Sequence, residues 1–267
     1  MKIWWVGVNT FRGLLRSRAL LAFFFLVFFT LLSALGVFFF ADQLSEAGAA
    51  EQARLLFARR IEGMLETFVM YGYFLAALAG AYVLPGEIKS GTIVPTLGRA
   101  VSRGQYLLGL FLGLNLLLAA YAALVAVMVG ALMVLGQVRP GPELLLGVLY
   151  ALLAVNVILG LSFCFSTLLP PLMALAAMLT FLALPSLTDA VRLYSQEWAD
   201  RLKTIFTYAQ PAWDLFDYGN YFVLTRSVTT RPWSVQVLGA AHGLDYVAVL
   251  LLLAYVVFRR RSLLPQN

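Results

Sequence analysis

The sequence predicts an all-α polytopic membrane protein, and three observations support this fold class. Of the 267 residues, 62% are hydrophobic and only 12% are charged, whereas a soluble domain has about 25% charged residues. The apolar residues gather into stretches of roughly 20 residues, the length that a helix needs to cross a bilayer. The segments outside these stretches differ in net charge, +9 on one predicted side of the membrane and −3 on the other. Soluble enzyme folds are therefore excluded.

Six apolar stretches are long enough to be transmembrane helices. They cover residues 19–41, 64–84, 106–135, 143–168, 171–188 and 241–258. Pro170 and Pro171 separate the fourth stretch from the fifth, because a proline pair breaks a helix. The first stretch is longer than the apolar region of a signal peptide and follows a patterned segment, so we expect it to remain in the mature protein.

The distribution of charge predicts that both termini are cytoplasmic. In that arrangement the cytoplasmic segments hold ten basic residues and one acidic residue, Glu87, while the other side holds nine basic and twelve acidic residues. This asymmetry is the positive-inside pattern of membrane proteins. It also accounts for the net charge of +6, so the basic character requires no nucleic-acid partner.

The first 18 residues have the pattern of an amphipathic helix. One face of this helix, predicted over residues 2–18, carries Trp4, Val8, Phe11 and Leu15. Another face carries Lys2, Asn9, Arg12 and Arg16. A basic amphipathic helix with aromatic residues is typical of a helix that lies flat at a membrane surface. The alternative is that this helix simply extends the first span.

Two further segments are predicted to be helical outside the spans. Residues 42–63 are expected to continue as a helix into the second span, with Glu62 and Glu66 in its first turn, where negative charge suits the helix dipole. Residues 189–240 form the longest extramembrane segment, with an amphipathic helix that Pro211 ends. Its aromatic residues favour short interfacial or re-entrant helices on the outer side, and the alternative is a small globular cap.

The sequence offers few groups for catalysis. His242 is the only histidine and Cys164 the only cysteine, so we predict no catalytic residues and no metal site. Gly109 and Gly113 form a G-x-x-x-G pair that allows close helix packing. Asn115 and Asn156 are the polar residues within the spans, and we predict interhelical hydrogen bonds for them, with contact to a substrate in the translocation path as the alternative.

The loop between the second and third spans, residues 85–105, is the most informative segment. It reads Pro-Gly-Glu-Ile-Lys-Ser-Gly-Thr from residue 85, and Val-Ser-Arg from residue 101 leads into the third span. Although Gly86 and Gly91 have the spacing of a phosphate loop, Thr92 occupies the position that a phosphate-binding lysine requires. We therefore expect this chain not to bind ATP by itself.

This loop resembles the signature of the type-2 permease subunits of ATP-binding-cassette (ABC) transporters. That family has an E-x-x-x-G-T segment after the second span, then a Leu followed by Pro-Val-Ser-Arg, then Leu-Leu-Gly-Lys-Phe-Leu-Gly. The matching residues are Glu87, Gly91, Thr92, Leu97, Val101, Ser102, Arg103, Gly109, Phe111 and Gly113. Ala100 stands where proline is usual and Leu110 where lysine is usual, and Pro95 is also unexpected.

The resemblance implies one type-2 ABC transporter transmembrane domain over residues 1–267. It implies an exporter subunit in a bacterial cytoplasmic membrane, paired with a second permease copy and with separate ATPase subunits that bind ATP and Mg²⁺. The loop would dock into the ATPase through Glu87, Lys89, Gly91, Thr92, Arg99 and Arg103. Glu87 would pair with a basic residue of the N-terminal helix or of the loop, and Arg99 and Arg103 would contact the ATPase or lipid phosphates, unless these arginines only satisfy the positive-inside rule.

Two other functions remain alternatives at this point. One is a non-transporting membrane partner, in which an ATPase drives mechanical signalling or cofactor maturation. The other is an intramembrane enzyme that modifies lipids, although no carboxylate or metal motif supports it. The spans contain no cluster of acidic or basic residues that would indicate a charged substrate. Because they are poor in charge and rich in aromatic residues, they favour an apolar or amphiphilic substrate.

Overall fold

The protein is an α-helical bundle. The computed structural model describes residues 2–16, 27–33, 36, 50–93, 101–135, 141–192, 196–216 and 232–260, and every regular element in these ranges is helical. The helices are α1 (Lys2–Leu15), α2 (Ala50–Lys89), α3 (Arg103–Leu135), α4 (Pro142–Leu168), α5 (Pro171–Arg192), α6 (Gln196–Ala209) and α7 (Trp233–Arg260). A 3-10 turn, Trp213–Leu215, lies between α6 and α7.

Four helices are long and apolar enough to cross a membrane within the described ranges. They are Leu55–Lys89, Arg103–Leu135, Leu144–Leu168 and Trp233–Arg260, which confirms the predicted second, third, fourth and sixth spans. Helix α5, Pro171–Arg192, covers the predicted fifth span, and its described apolar part, Pro171–Leu184, is shorter than the four spans above. The predicted first span lies mostly outside the described residues, of which 27–33 are helical.

The predicted break between the fourth and fifth spans is confirmed. Helix α4 ends at Leu168, and Leu169 has an extended backbone with φ −117° and ψ 156°. A residue before proline is driven out of the helical region by the proline ring, which explains the conformation of Leu169. Pro171 then occupies the first turn of α5, where the missing proline N–H costs no hydrogen bond.

Helix α2 is longer than the second span. It runs without interruption from Ala50 to Lys89, so the predicted helical continuation of the segment before the span is confirmed for residues 50–63. The prediction for Glu62 and Glu66 was wrong in one respect, because both lie more than three turns from the start of α2. The helix dipole acts mainly within the first turn and therefore does not explain these two acids.

Helix α4 lies at the centre of the bundle. In the most apolar stretch of α4, 67% of the residues are buried inside the bundle, whereas in that of α7 only 17% are buried. Small residues allow α2 to approach it closely: a Cβ added at Gly80 would lie 3.0 Å from the Cβ of Ser162. The Ser162 hydroxyl donates a hydrogen bond of 2.6 Å to the carbonyl of Ala77. Within a membrane, such close packing and interhelical hydrogen bonds replace hydrophobic burial as the source of helix association.

The buried residues form two clusters along the bundle. The larger cluster joins the C-terminal part of α2, the first half of α3, most of α4 and the C-terminal half of α7. The second cluster packs residues 27–33 against the first half of α2 and the far ends of α3 and α4. Thr30 and Tyr71 share a hydrogen bond of 3.1 Å across this second cluster. We use "loop end" for the end where α2 ends and α3 begins, and "opposite end" for the other.

Candidate functional site

Helix α2 ends at the signature loop, where Gly91 has a left-handed backbone conformation. Gly91 has φ +71°, a left-handed conformation that glycine adopts without steric cost and that commonly ends a helix. The amide N–H of Ser90 donates to the Gly86 carbonyl at 2.9 Å, and that of Gly91 donates to the Ile88 carbonyl at 3.2 Å. These bonds satisfy the last carbonyls of α2 and fix the direction in which the loop leaves the helix.

Glu87 is the centre of a hydroxyl cluster at this turn. The Thr92 hydroxyl donates to the Glu87 carboxylate, and the Tyr106 hydroxyl lies 3.3 Å from Glu87 Oε2. Ser90 Oγ lies 3.0 Å from Thr92 Oγ1, which holds the turn together. Among the described residues Glu87 thus has two hydroxyl donors, and Arg99, a loop cation predicted to be near it, lies outside those residues. The carboxylate links the end of α2 to the first turns of α3.

A capping box starts α3. The amide of Ser102 donates to Gln105 Oε1 at 3.2 Å, and the amide of Gln105 donates to Ser102 Oγ at 3.2 Å. This reciprocal pair is the pattern S-x-x-Q, which satisfies two of the unpaired N–H groups at a helix start. The motif is readable in the sequence, although Ser102 was predicted only as a residue of the family signature. The cap fixes where the loop enters α3.

Arg103 joins the loop to the last helix. Its Nη1 lies 2.8 Å from the Arg259 carbonyl and 3.3 Å from the Phe258 carbonyl, both at the C-terminus of α7. A helix C-terminus presents unpaired carbonyls and a partial negative charge, which a guanidinium stabilises. Sequence reasoning missed this contact because the two segments are about 155 residues apart. Their spatial proximity depends on the packing of α3 against α7.

Gly109 and Gly113 form the docking surface for α1. A Cβ at Gly109 would lie 2.6 Å from the Cβ of Val6, and a Cβ at Gly113 would lie 2.6 Å from the Gly7 carbonyl oxygen. The contacts advance in the same direction along both helices, so α1 packs lengthwise on α3. The packed face of α1 is a third face, different from the aromatic and basic faces that the sequence analysis identified.

The remaining predicted site residues lie apart from this cluster. Lys89 is exposed at the end of α2, and Arg99 lies outside the described residues. Asn115 donates to the Phe111 carbonyl and Asn156 to the Leu152 carbonyl, each at 3.0 Å within its own helix. The described hydrogen bonds of both amides are therefore intrahelical, whereas interhelical bonds were predicted.

An open groove of about 830 Å³ lies beside the loop, between α1, α2 and α3. Its walls are mainly apolar and include Leu75, Leu78 and Leu117. Glu87, Tyr106 and the turn hydroxyls line the groove close to the loop. The groove therefore has apolar walls and one polar end.

At the opposite end, residues 211–216 pack on the start of α7. Phe216 is buried and stacks on His242, with ring centroids 5.9 Å apart and an interplanar angle of 10°. The Ala212 amide donates to His242 Nε2 at 3.3 Å. Gln210 donates to the Phe181 carbonyl, so α6 returns along α5. The predicted amphipathic helix that ends before Pro211 is confirmed as α6.

No cluster of His, Cys, Asp or Glu suited to a metal ion occurs in the described part of the chain.

In a sequence comparison the chain matches no characterised protein. It matches the family described as ABC-2 family transporter protein over residues 4–263, which include the loop, the glycine pair and all four spans. This multi-pass membrane protein therefore belongs to the ABC-2 transporter family, whose members are membrane subunits of transporters and are not themselves catalytic.

Proposed function

We propose that the chain is the permease subunit of an ATP-driven exporter. Two permease copies, identical or related, form the translocation path, and two separate ATPase subunits bind ATP and Mg²⁺ and drive the cycle. The main support is the connected geometry of the loop. Glu87 links the end of α2 to α3, while Arg103 links α3 to the end of α7. Force applied to the loop would therefore reach three spans directly.

We propose that the loop is the docking element for the ATPase. The turn at Gly91 and the Thr92 contact to Glu87 make its first part compact. Lys89 is exposed there, and together with Arg99 it supplies basic side chains for a partner surface. A rigid element with exposed charges suits a docking role, because little conformational entropy is lost when it binds.

The membrane placement follows from the charge pattern. We propose six spans, with residues 27–33 inside the first and α5 as the fifth, in a bacterial cytoplasmic membrane. Both termini and the loop are cytoplasmic under the positive-inside rule. Helix α1 lies at the cytoplasmic interface with Trp4 and Leu15, both exposed in the chain alone, toward lipid. Helix α6 and residues 211–216 belong to the outer side.

The path is proposed to suit an apolar or amphiphilic substrate. The described spans present large exposed apolar side chains, such as Phe74, Leu78 and Leu252. Asn115 and Asn156 are polar exceptions, and the Asn156 Oδ1 atom is buried without a hydrogen-bond partner among the described residues. A substrate donor that reaches this oxygen would satisfy it.

Affinity purification from membranes in mild detergent tests the proposal. We expect an ATPase with a phosphate-loop motif to copurify at equal stoichiometry and to hydrolyse ATP. Isolation of the chain alone, without ATPase activity, would contradict the proposal and shift support to an intramembrane lipid-modifying enzyme. Copurification without transport of any amphiphile in reconstituted vesicles would instead indicate a non-transporting partner of an ATPase.

Substitution of Glu87 gives a sharper test in the purified complex. Glu87→Lys removes the acceptor shared by Thr92 and Tyr106 and places a cation among hydroxyl donors, so the loop should lose its fixed shape. We expect ATP turnover of the complex to fall at least about tenfold, equivalent to about 1.4 kcal/mol of coupling, while membrane insertion persists. Glu197→Lys is the matched control, because Glu197 is exposed on α6 and pairs only with exposed Arg201 among the described contacts. Unchanged turnover in Glu87→Lys would refute the role of the loop.

A further inference from the structure

We infer that α7 is a strut that transmits displacement of the loop to residues 211–216 at the opposite end, and that Arg103 is the positioning residue that connects the loop to this strut. The inference rests on the proposed function, since it assumes that an ATPase moves the loop. Beyond the proposed function, it states that displacement of the loop passes through α7 and that residues 211–216, at the opposite end of the bundle, move in response.

The first step is the attachment of α7 to the loop. Besides the two Arg103 contacts to the Phe258 and Arg259 carbonyls, Gly104 leaves room for the ring of Tyr255, whose Cε2 would lie 3.1 Å from an added Cβ. Phe258 is fully buried in the core cluster. The start of α3 is therefore held to the end of α7 by charge-assisted hydrogen bonds and by packing.

The second step is the stiffness of α7. The helix runs from Trp233 to Arg260 without proline, which corresponds to about 42 Å. It packs along α4 at several levels, where Leu250 fills the space beside Gly160 and Tyr150 donates a 2.5 Å hydrogen bond to the Gln236 carbonyl. Since an uninterrupted helix without proline bends only gently, displacement of one end carries the other end with it.

The third step is the attachment of residues 211–216 to the start of α7. Gly239 leaves room for the Leu215 carbonyl, 3.0 Å from an added Cβ, and Gly243 leaves room for the ring of Phe216, 2.9 Å away. His242 accepts the Ala212 amide hydrogen bond and stacks on Phe216. The turn thus contacts α7 over one full helical turn, and it should follow rotation or tilt of that helix.

The decisive experiment follows residues 211–216 in the purified permease–ATPase complex. Asp214, exposed in the 3-10 turn, is replaced by cysteine in a Cys164→Ala background, which removes the only native cysteine. The maleimide labelling rate is measured without nucleotide and with ATP plus vanadate, in chains with Arg103, Arg103→Lys or Arg103→Gln. Arg12→Gln is the control, because Arg12 is an exposed arginine of α1 at the same end.

We expect nucleotide to change the labelling rate at least threefold with Arg103, and Arg103→Lys to keep most of this change because an ammonium group can donate to the same carbonyls. Arg103→Gln should abolish the change in labelling rate, and Arg12→Gln should leave it intact. A full nucleotide response in Arg103→Gln, or no response with Arg103 in a complex that hydrolyses ATP, would overturn the inference.

A second measurement on the permease alone separates this inference from the proposed function. Hydrogen exchange of the last turn of α7 should accelerate about tenfold in Arg103→Gln and stay unchanged in Arg12→Gln. Equal exchange in the two variants would show that Arg103 does not hold α7, and this overturns the strut whether or not an ATPase exists. Accelerated exchange in a preparation without an ATPase would confirm the attachment but overturn the transmission together with the proposed function.

Discussion

The two ends of the bundle use glycine pairs of identical spacing for different purposes. At the loop end, Gly109 and Gly113 of α3 receive the backbone of α1, and an added Cβ would lie 2.6 Å from Val6 and Gly7 atoms. At the opposite end, Gly239 and Gly243 of α7 receive a carbonyl and the side chains of Leu153 and Phe216. The first pair brings two helix backbones together, whereas the second receives the Leu215 carbonyl at Gly239 and side chains at Gly243.

This difference shows that a G-x-x-x-G pair leaves room for a close contact but does not determine which element makes that contact. Small residues let another element approach closely, but the identity of that element depends on what the fold brings to the site. The contact with a helix backbone should be the less tolerant of the two, because the backbone cannot move without displacing the whole of α1. The following predictions test this contrast, from the largest expected effect to the smallest.

Gly113→Ala should give the largest destabilisation. The added methyl group meets the Gly7 carbonyl oxygen at 2.6 Å, so α1 must move away from α3. We expect a loss of about 3 kcal/mol, the upper end of the range for overpacking, measured as thermal unfolding of the purified chain in detergent. Gly130→Ala is the control, since the nearest atom to its added Cβ is 3.7 Å away. Equal unfolding midpoints for the two variants would contradict the backbone contact.

Gly243→Ala should have an intermediate effect. Its added methyl group meets side-chain atoms of Leu153 and Phe216 at 2.8 and 2.9 Å, and these side chains can shift to other rotamers. We expect a loss of about 1.5 kcal/mol, with faster hydrogen exchange confined to residues 211–216. Gly63→Ala serves as the control because, in the described part of the chain, no atom of another element lies within 4 Å of its added Cβ. A loss larger than that of Gly113→Ala would reverse the proposed order of the two ends.

His242→Phe should have the smallest effect. Phenylalanine keeps the stacking on Phe216 but removes the acceptor of the Ala212 amide hydrogen bond. Ala212 is exposed, so water can replace the lost acceptor, and we expect a loss of about 0.5 kcal/mol. His242→Ala, which removes both the acceptor and the ring, should cost more in the same unfolding assay. Similar midpoints for the two variants would show that the ring contributes nothing at this end.

The sequence predicted the loop segment more completely than it predicted the contacts of that segment. Gly91 was identified as a residue of the family signature, and it has a positive φ where α2 ends. The S-x-x-Q cap at Ser102 was readable because capping depends on residues three apart. The Tyr106 and Thr92 hydroxyls that contact Glu87 were not predicted, since hydroxyl partners leave no charge pattern in a sequence.

The amide side chains within the spans show a second limit of the sequence. Asn115 and Asn156 were predicted to bridge helices, yet each donates to the carbonyl four residues before it. Local geometry in a helix always offers that carbonyl, whereas a partner on another helix depends on rotation of both helices about their axes. Composition cannot fix this rotation, because the apolar faces of a membrane helix differ little from one another.

By itself, the sequence determined the membrane class, the four described spans, the break at Pro170 and the place of the signature loop. These features depend on apolar length, proline chemistry and residues close together in the chain, all of which act locally. Only the tertiary structure decided that α1 packs on Gly109 and Gly113, and that Arg103 holds the end of α7. Both contacts join segments far apart in sequence, and close packing of helices in lipid depends on surface shape more than on hydrophobicity.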